Sequence, residues 1–227
     1  MNTKIAKITT KAIVSTNHPL LYFRSKEAKK QVMWIYSHLK SYIFKKCRLI
    51  DVGCGTGKQS FAAEGLGAEV VGIDCSIEAI KFANRIKKEI NSNCQFVVGD
   101  YTNMLLENDM FDIAVFPKNI VECSYYEIEK LSSEIKRILK KEGKLIVTMK
   151  DGLKNISNDK IDSLNNYQTK TGRYNGEISL PDKKKYPYPT YFWTVPFAKY
   201  IFSNHFNLIE EKEIRDNYCV LVFSKNK

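Results

Sequence analysis

From Leu49 onward the apolar residues follow two alternating patterns. Short unbroken runs occur at Leu49–Gly53, Glu69–Ile73, Gln95–Val98, Phe111–Phe116 and Lys144–Thr148. None shows the polar/apolar alternation of a half-exposed strand, so each reads as a strand buried on both faces. Between the runs, apolar residues recur every three or four positions, as along one face of a helix. Ile77, Ile80, Ala83, Ile86 and Ile90 form one such stripe behind Ser76, a good N-cap. Ile128, Leu131, Ile135 and Ile138 form another, behind Ser124 and Glu127 at capping-box spacing. Gly143 is expected to close that second helix as its C-terminal glycine. Strand, helix, strand repeated in this way requires right-handed crossovers and a parallel sheet. The core is α/β.

Two regions depart from this rhythm. Residues 1–46 contain a helix candidate, Ser25–Phe44, with Val32, Ile35, Tyr36, Leu39 and Ile43 on one face. Residues 150–192 are polar and end in a cluster, Tyr186-Pro187-Tyr188-Pro189. A connection of that length without periodicity usually serves a function. After it, Trp193–Ser203 reads as a helix, and Asn207–Ile214 and Asn217–Ser224 as two closing strands. The expected organisation is one domain over 1–227: an N-terminal helical cover (1–46), a core (47–150), an insert (151–192) and a closing helix with strands (193–227).

The composition changes this picture little. With 227 residues, 44% hydrophobic and 27% charged, the chain is globular and large enough to need no disulfide or metal staple. No apolar run approaches the roughly 18 residues of a membrane span. Lys4, Lys7 and Lys11 interrupt the apolar core that a secretory signal needs. The six cysteines (Cys47, Cys54, Cys75, Cys94, Cys123 and Cys219) form no CxxC pair, and no histidine stands at zinc spacing. Reduced thiols in a cytoplasm, acting as small buried apolar residues, are the expectation, with no metal. Charge is unevenly placed. Of the net +11, residues 1–48 carry +10 and the remaining chain +1. A basic leader of this kind suits an anionic ligand, a nucleic acid or an acidic surface, and equally a solvated helix face.

The candidate chemistry lies in Asp51-Val-Gly-Cys-Gly-Thr-Gly57, between the first strand and its helix. Glycines there allow a sharp turn and close approach of a ligand to the backbone. Loops at the carboxyl ends of parallel strands are where α/β sheets bind ligands. A phosphate-binding P-loop is excluded at both ends, since Val52 replaces its first glycine and Gln59 its Ser or Thr. A dinucleotide fingerprint, GxGxxG, fits weakly, because the third glycine comes one residue early and Lys58 holds its place. The pattern Asp-x-Gly-x-Gly-x-Gly, with Asp74 ending the second strand and Asp100 following the third, resembles the class I S-adenosylmethionine-dependent methyltransferases. The resemblance covers roughly residues 45–150 and includes Leu131–Thr148 as the family's helix and fifth strand.

That resemblance implies a seven-stranded, mostly parallel sheet with helices on both faces, and S-adenosylmethionine as cofactor. It implies that Gly53, Cys54, Gly55 and Gly57 line the methionine part of the cofactor, and that Asp51 supports its amino group. It places Asp74 on the ribose hydroxyls, Cys75 and Ser76 beside the adenine, Asp100 on the exocyclic amine with Tyr101 flanking the base, and Phe116 towards the sulfonium. Strand-end capping is the plainer reading of both acids.

In related enzymes, substrate contacts come from the N-terminal segment and from the segments after strands four and five. Here these offer Tyr22, Lys118, Asn119, Tyr188 and Tyr191 as substrate contacts, and His18 and Glu122 as candidate bases. His38 and His205 read as structural. A base is needed only if the acceptor arrives protonated. Phe116-Pro-Lys-Asn119 is not the Asn/Asp-Pro-Pro-aromatic motif of exocyclic-amine methylation, and no Pro-Cys pair is present. The expected acceptor is therefore an oxygen or nitrogen of a small metabolite, anionic ones included. RNA methylation through the basic leader is the alternative, and a non-catalytic cofactor-binding sensor or subunit is a further one.

Overall fold

The computed structural model describes residues 26–117, 125–150, 177–180, 190–193, 195–214 and 218–226. Seven strands form one sheet: β1 (Arg48–Val52), β2 (Glu69–Asp74), β3 (Gln95–Val98), β4 (Phe111–Pro117), β5 (Leu139–Lys150), β8 (Phe206–Ile214) and β9 (Tyr218–Lys225). Their order is β3-β2-β1-β4-β5-β9-β8. The first five run parallel, and β9 is antiparallel to both its neighbours. Chain order reverses between β1 and β4, which opens a crevice at the carboxyl ends of those strands.

Alternate residues of the central strands enter two cores. Leu49, Ile113, Val115 and Ile146 face a cluster with Ile35 and Leu39 of α1 (Lys26–Leu39), Phe61 and Ala62 of α2 (Lys58–Gly65), and Phe82 and Ile86 of α3 (Ile77–Glu89). Ile50, Val52, Ala114, Phe116, Leu145 and Val147 face the other way. There they meet Ile128, Leu131 and Ile135 of α4 (Tyr125–Ile138) and Ala198, Ile201 and Phe202 of α5 (Val195–Ser203). Burial on both faces is what the unbroken apolar runs required, and the central strands meet it. β3 does not, because it lies at the sheet edge, where Gln95, Val97 and Val98 are exposed. The expected strands and the seven-stranded sheet are present, with ends shifted by a residue or two, except that β5 begins at Leu139, five residues before the expected Lys144.

Three expectations need correction. Gly143 does not end a helix. α4 stops at Ile138, Leu139 already pairs with Phe111, and the ladder resumes only at Lys144 opposite Ile113. Residues 140–143 bulge out against Asp112 alone, and a Cβ on Gly143 would lie 2.9 Å from the Lys140 carbonyl oxygen. Close backbone approach inside a bulge is the role of this glycine. The last helix begins at Val195 rather than at Trp193, because Thr190–Trp193 is a strand (β7) pairing antiparallel with β6 (Glu177–Leu180). The sequence of that hairpin carries no alternation strong enough to predict it. The first helix ends at Leu39, short of Phe44. Ser124 lies outside the described residues, so the capping box does too. Ser76 does cap α3, its Oγ accepting from the Ala79 N–H at 3.2 Å.

Candidate active site

Asp51 sits one residue before the end of β1, with Gly72 and Val115 as its neighbours across the sheet. Strand alternation turns its side chain to the α2 face, where it has no exposure to solvent. Oδ2 accepts a 2.6 Å bond from the Ser60 hydroxyl, whereas the buried Oδ1 has no partner. Burial pushes this carboxyl up to about 7, the charge of Asp74 adds to the rise, and Ser60 opposes it. An ionisable group held this way is costly, and packing alone does not call for one.

The glycine loop follows directly. Gly53, Gly55 and Gly57 all have positive φ (73°, 53° and 83°), a backbone path that glycine follows without strain. They differ in what surrounds them. A Cβ on Gly55 would meet nothing within 4 Å, so this residue borders open space. A Cβ on Gly57 would lie 2.8 Å from the Phe96 ring, so Gly57 is the floor of the loop. Cys54 also packs beneath, its Sγ 2.9 Å from the position a Cβ on Gly72 would take.

Asp74, at the tip of β2, bolts the loop in place. Its Oδ2 accepts from the Gly55 N–H at 2.9 Å and its Oδ1 from the Ser76 N–H at 2.8 Å. Each carboxylate oxygen retains a second lone pair for a ligand. Beyond β3, Asp100 folds over Thr102, whose N–H and hydroxyl both donate to Oδ1 at 2.8 Å. Such an Asx-turn fixes the carboxylate at the strand tip.

The cysteines around the loop, Cys54, Cys75 and Cys94, are held as thiols. Burial pushes the Cys75 and Cys94 thiols up to about 12, with the Asp74 charge adding to the rise at Cys75. Burial also drives Cys54 far above the ordinary thiol range. Protonated thiols are poor nucleophiles. The described cysteines are free, and Cys47, Cys54, Cys94 and Cys219 are buried. Among the described residues no group of three His, Cys, Asp or Glu is arranged to hold a metal ion.

A profile described as a methyltransferase domain matches residues 43–191. The chain belongs to the methyltransferase domain family. The match takes in the whole loop, both strand-tip acids and the insert. A curated relative, the sterol 4-C-methyltransferase of Caenorhabditis elegans, is 28% identical over 155 residues, which is 65% of this chain and 44% of that protein. The ribosomal protein L11 methyltransferase of Dictyoglomus thermophilum is 35% identical over 48% of this chain and 35% of its own length. This chain thus spans less than half the length of these curated relatives. Among solved structures, a protein from Pyrococcus horikoshii superposes with a TM-score of 0.72 at 24% identity, covering 90% of this chain and 93% of its own. A SAM-dependent methyltransferase from Methanosarcina mazei superposes at 0.68 with 19% identity, covering 83% and 96%. These likenesses establish the fold.

The cofactor of this family is S-adenosylmethionine, and the residues present fit it. The unpartnered Oδ1 of Asp51 is an acceptor waiting for a donor, and Gly55 leaves room where a side chain would intrude. Asp51, the loop glycines, Asp74 and Asp100 lie around the carboxyl ends of neighbouring strands, as their spacing implied. Other expected residues stand differently. Cys54 and Ser76 are buried, Ser76 acting as the α3 cap. Tyr101 and Phe116 belong to the larger core, their rings edge-to-face at 6.4 Å. Cys75 is half-buried beside Asp74.

His18, Tyr22, Lys118, Asn119, Glu122 and Tyr188 lie outside the described residues, and Tyr191 is placed only as a member of β7. His38 is buried, edge-on to Trp34 at 4.3 Å between ring centres, and His205 is half-buried behind α5. Sequence reasoning missed Ser60, Thr102 and Gly72. An Asp-x-Thr turn signal announced Thr102, and a glycine inside an apolar strand run announced Gly72. Nothing announced Ser60.

Proposed function

We propose that this chain is an S-adenosylmethionine-dependent methyltransferase that methylates an oxygen or nitrogen of a small metabolite by in-line displacement. The observation that carries the reading is the buried Asp51 carboxylate with its vacant acceptor, set beneath an open glycine loop and beside Asp74. The cofactor supplies an electrophilic methyl group on a sulfonium that is its own leaving group. Asp51 receives the ammonium of the methionine part, Asp74 the ribose hydroxyls and Asp100 the adenine amine. The loop glycines shape the floor. The protein's contribution is alignment, and positioning alone is worth up to roughly 7–11 kcal/mol in well-oriented reactions.

The family resemblance assigns the acceptor side to the N-terminal segment, the residues after β4 and the insert. His18 and Glu122 are the candidate bases, and Tyr22, Lys118, Asn119, Tyr188 and Tyr191 the candidate contacts. The printed names of the relatives range from a sterol to a ribosomal protein, so the acceptor is argued from this chain. The absence of a base-methylation motif after β4 favours a small molecule. The +10 balance of residues 1–48 supports RNA as a second reading. Reduced, buried thiols support a cytoplasmic setting.

Titration calorimetry with S-adenosylmethionine tests the cofactor, with a nicotinamide dinucleotide as the control. Incubation with methyl-labelled cofactor and either a metabolite extract or cellular RNA then tests the acceptor. Label in small molecules supports the proposal. Label in RNA, lost steeply with added salt, transfers the assignment to the second reading. Binding without any transfer marks a sensor or subunit.

A further inference from the structure

The return stretch from the tip of β3 to β4 is held by two side chains of α4. Arg137 spends all five guanidinium N–H groups within one small region. Nε donates to Glu134 Oε1 (2.9 Å), Nη1 to the Leu106 carbonyl (2.6 Å) and Asn108 Oδ1 (2.9 Å), and Nη2 to the Met104 carbonyl (2.8 Å) and Glu134 Oε2 (2.9 Å). Glu134 Oε2 also accepts from the Met104 N–H at 2.7 Å. Met104 is therefore gripped at both of its backbone groups by one ion pair. Further along, the N–H groups of Asp109 and Met110 donate to the carbonyls of Arg137 and Ile138.

The gripped residue directly follows the turn that carries the adenine-side acid. Asp100 accepts from Thr102, forms an isolated antiparallel bridge with Asn103, and Met104 comes next. Tyr101 and Met104 anchor their side chains in the core, while Leu105 between the two held carbonyls is 95% exposed. The stretch has no strand or helix of its own to fix it. At its β4 end the backbone bonds of Asp109 and Met110 and the packing of Leu106 and Met110 hold it. Nearer Asp100 it is held by the buried Tyr101 and Met104 side chains and by the Glu134–Arg137 pair. A guanidinium fork is suited to this because it fixes direction as well as charge, which an ammonium does not.

We infer that Arg137, held by Glu134, is a positioning residue for Asp100, setting the carboxylate where it selects a 6-amino purine on the cofactor. The inference rests on the reading of Asp100 as the adenine acid. Loss of the fork frees the Met104 and Leu106 carbonyls, the Asp100 turn pivots about Tyr101, and the carboxylate no longer meets the exocyclic amine in line. The ribose and methionine ends, held by Asp74 and Asp51 on other strands, are left as they were.

The test measures the dissociation constants of S-adenosylhomocysteine and S-inosylhomocysteine, which differ at the 6-position of the purine, for wild type, Asp100→Asn, Arg137→Gln and Arg137→Lys. Wild type is expected to prefer the adenosyl compound by about tenfold or more. Asp100→Asn removes most of that preference. Arg137→Gln and Arg137→Lys each reduce it to about threefold or less, chiefly by weakening the adenosyl compound, and the double variant with Asp100→Asn adds no further loss.

If Asp100→Asn abolishes the preference while both Arg137 variants retain it and only melt lower, Arg137 is a structural clamp and the inference is overturned. If wild type shows no preference, the reading of Asp100 fails, and the inference fails with it. Arg137→Lys retains the charge and carries the test should Arg137→Gln not fold.

Discussion

Ser60 donates its hydroxyl to Asp51 Oδ2 at 2.6 Å, and neither side chain has any exposure. The pair joins the carboxyl end of β1 to the first turn of α2, so it ties the glycine loop together at its base. A hydroxyl offsets only part of what burial costs a carboxylate, and the other oxygen is left with nothing. The ligand-free protein thus carries an unmet cost at this carboxylate.

Asp51→Asn is expected to stabilise the ligand-free protein in a pH-dependent way. Burial raises the Asp51 pKa to about 7, with the Asp74 charge adding and Ser60 opposing. The folded chain holds this proton more tightly than the unfolded chain. The resulting stability is complete below about pH 4 and is lost as pH rises through about 7. Asparagine resembles the protonated form and forfeits nothing at high pH. The variant should melt several degrees above wild type at pH 8, the gain being at most about 4 kcal/mol, and within a degree of it near pH 4. Its affinity for S-adenosylmethionine should fall about tenfold or more. Equal melting at pH 8 would show that Asp51 is ionised at no cost.

Ser60→Ala removes a bond that lowers the Asp51 pKa, so that pKa should climb further. Cofactor affinity then depends on a carboxylate that ionises later. Calorimetry between about pH 6 and pH 9 should show the midpoint of the affinity profile moving to higher pH, with a loss of roughly threefold to tenfold near neutrality. An unshifted profile would separate the cofactor from the charge state of Asp51.

Asp74→Ala should do more than remove a ribose partner. It releases the N–H groups of Gly55 and Ser76, which the carboxylate now holds at 2.9 and 2.8 Å. Cofactor affinity is expected to drop about tenfold or more while the circular dichroism of the fold is retained, and Asp74→Asn, which keeps one acceptor oxygen, should lose less. Unchanged binding in the alanine variant would remove Asp74 from the site.

The sheet and the three acids were legible because their signals are local. Unbroken apolar runs fix which residues are strands, and spacing from the glycine loop fixes which acids stand at strand tips. Partnerships across long loops were not legible. Ser60 is nine residues from Asp51 in a helix too ordinary to flag it, and Arg137 meets Met104 across 33 residues. Gly143 misled because a glycine after a helical stripe serves equally as a cap or inside a bulge, and only the pairing of Leu139 with Phe111 decides between them. Tyr101 and Phe116 have the right neighbours in sequence for a cofactor wall, but alternation near the end of β4 turns the Phe116 ring into the core, and Tyr101, in the turn after β3, packs its ring edge-to-face against it.

The two kinds of glycine in this site should respond to the same substitution in opposite ways. Gly55→Ala places its Cβ in open space at φ +53°, so the fold loses only the left-handed backbone penalty of about 1–2 kcal/mol. The open space is the cradle, however, and the methyl group occupies it. Cofactor affinity should fall about tenfold or more in a protein that melts only slightly lower. Gly72→Ala puts its Cβ 2.8 Å from the Phe96 ring and 2.9 Å from Cys54 Sγ, beneath the loop and away from the ligand. Overpacking there costs roughly 1–3 kcal/mol, and the larger effect should be on melting. Calorimetry and thermal denaturation of the two variants side by side decide the matter. If Gly72→Ala loses more affinity and Gly55→Ala more stability, the cradle lies on the other side of the loop, and Asp51 faces packing rather than a ligand.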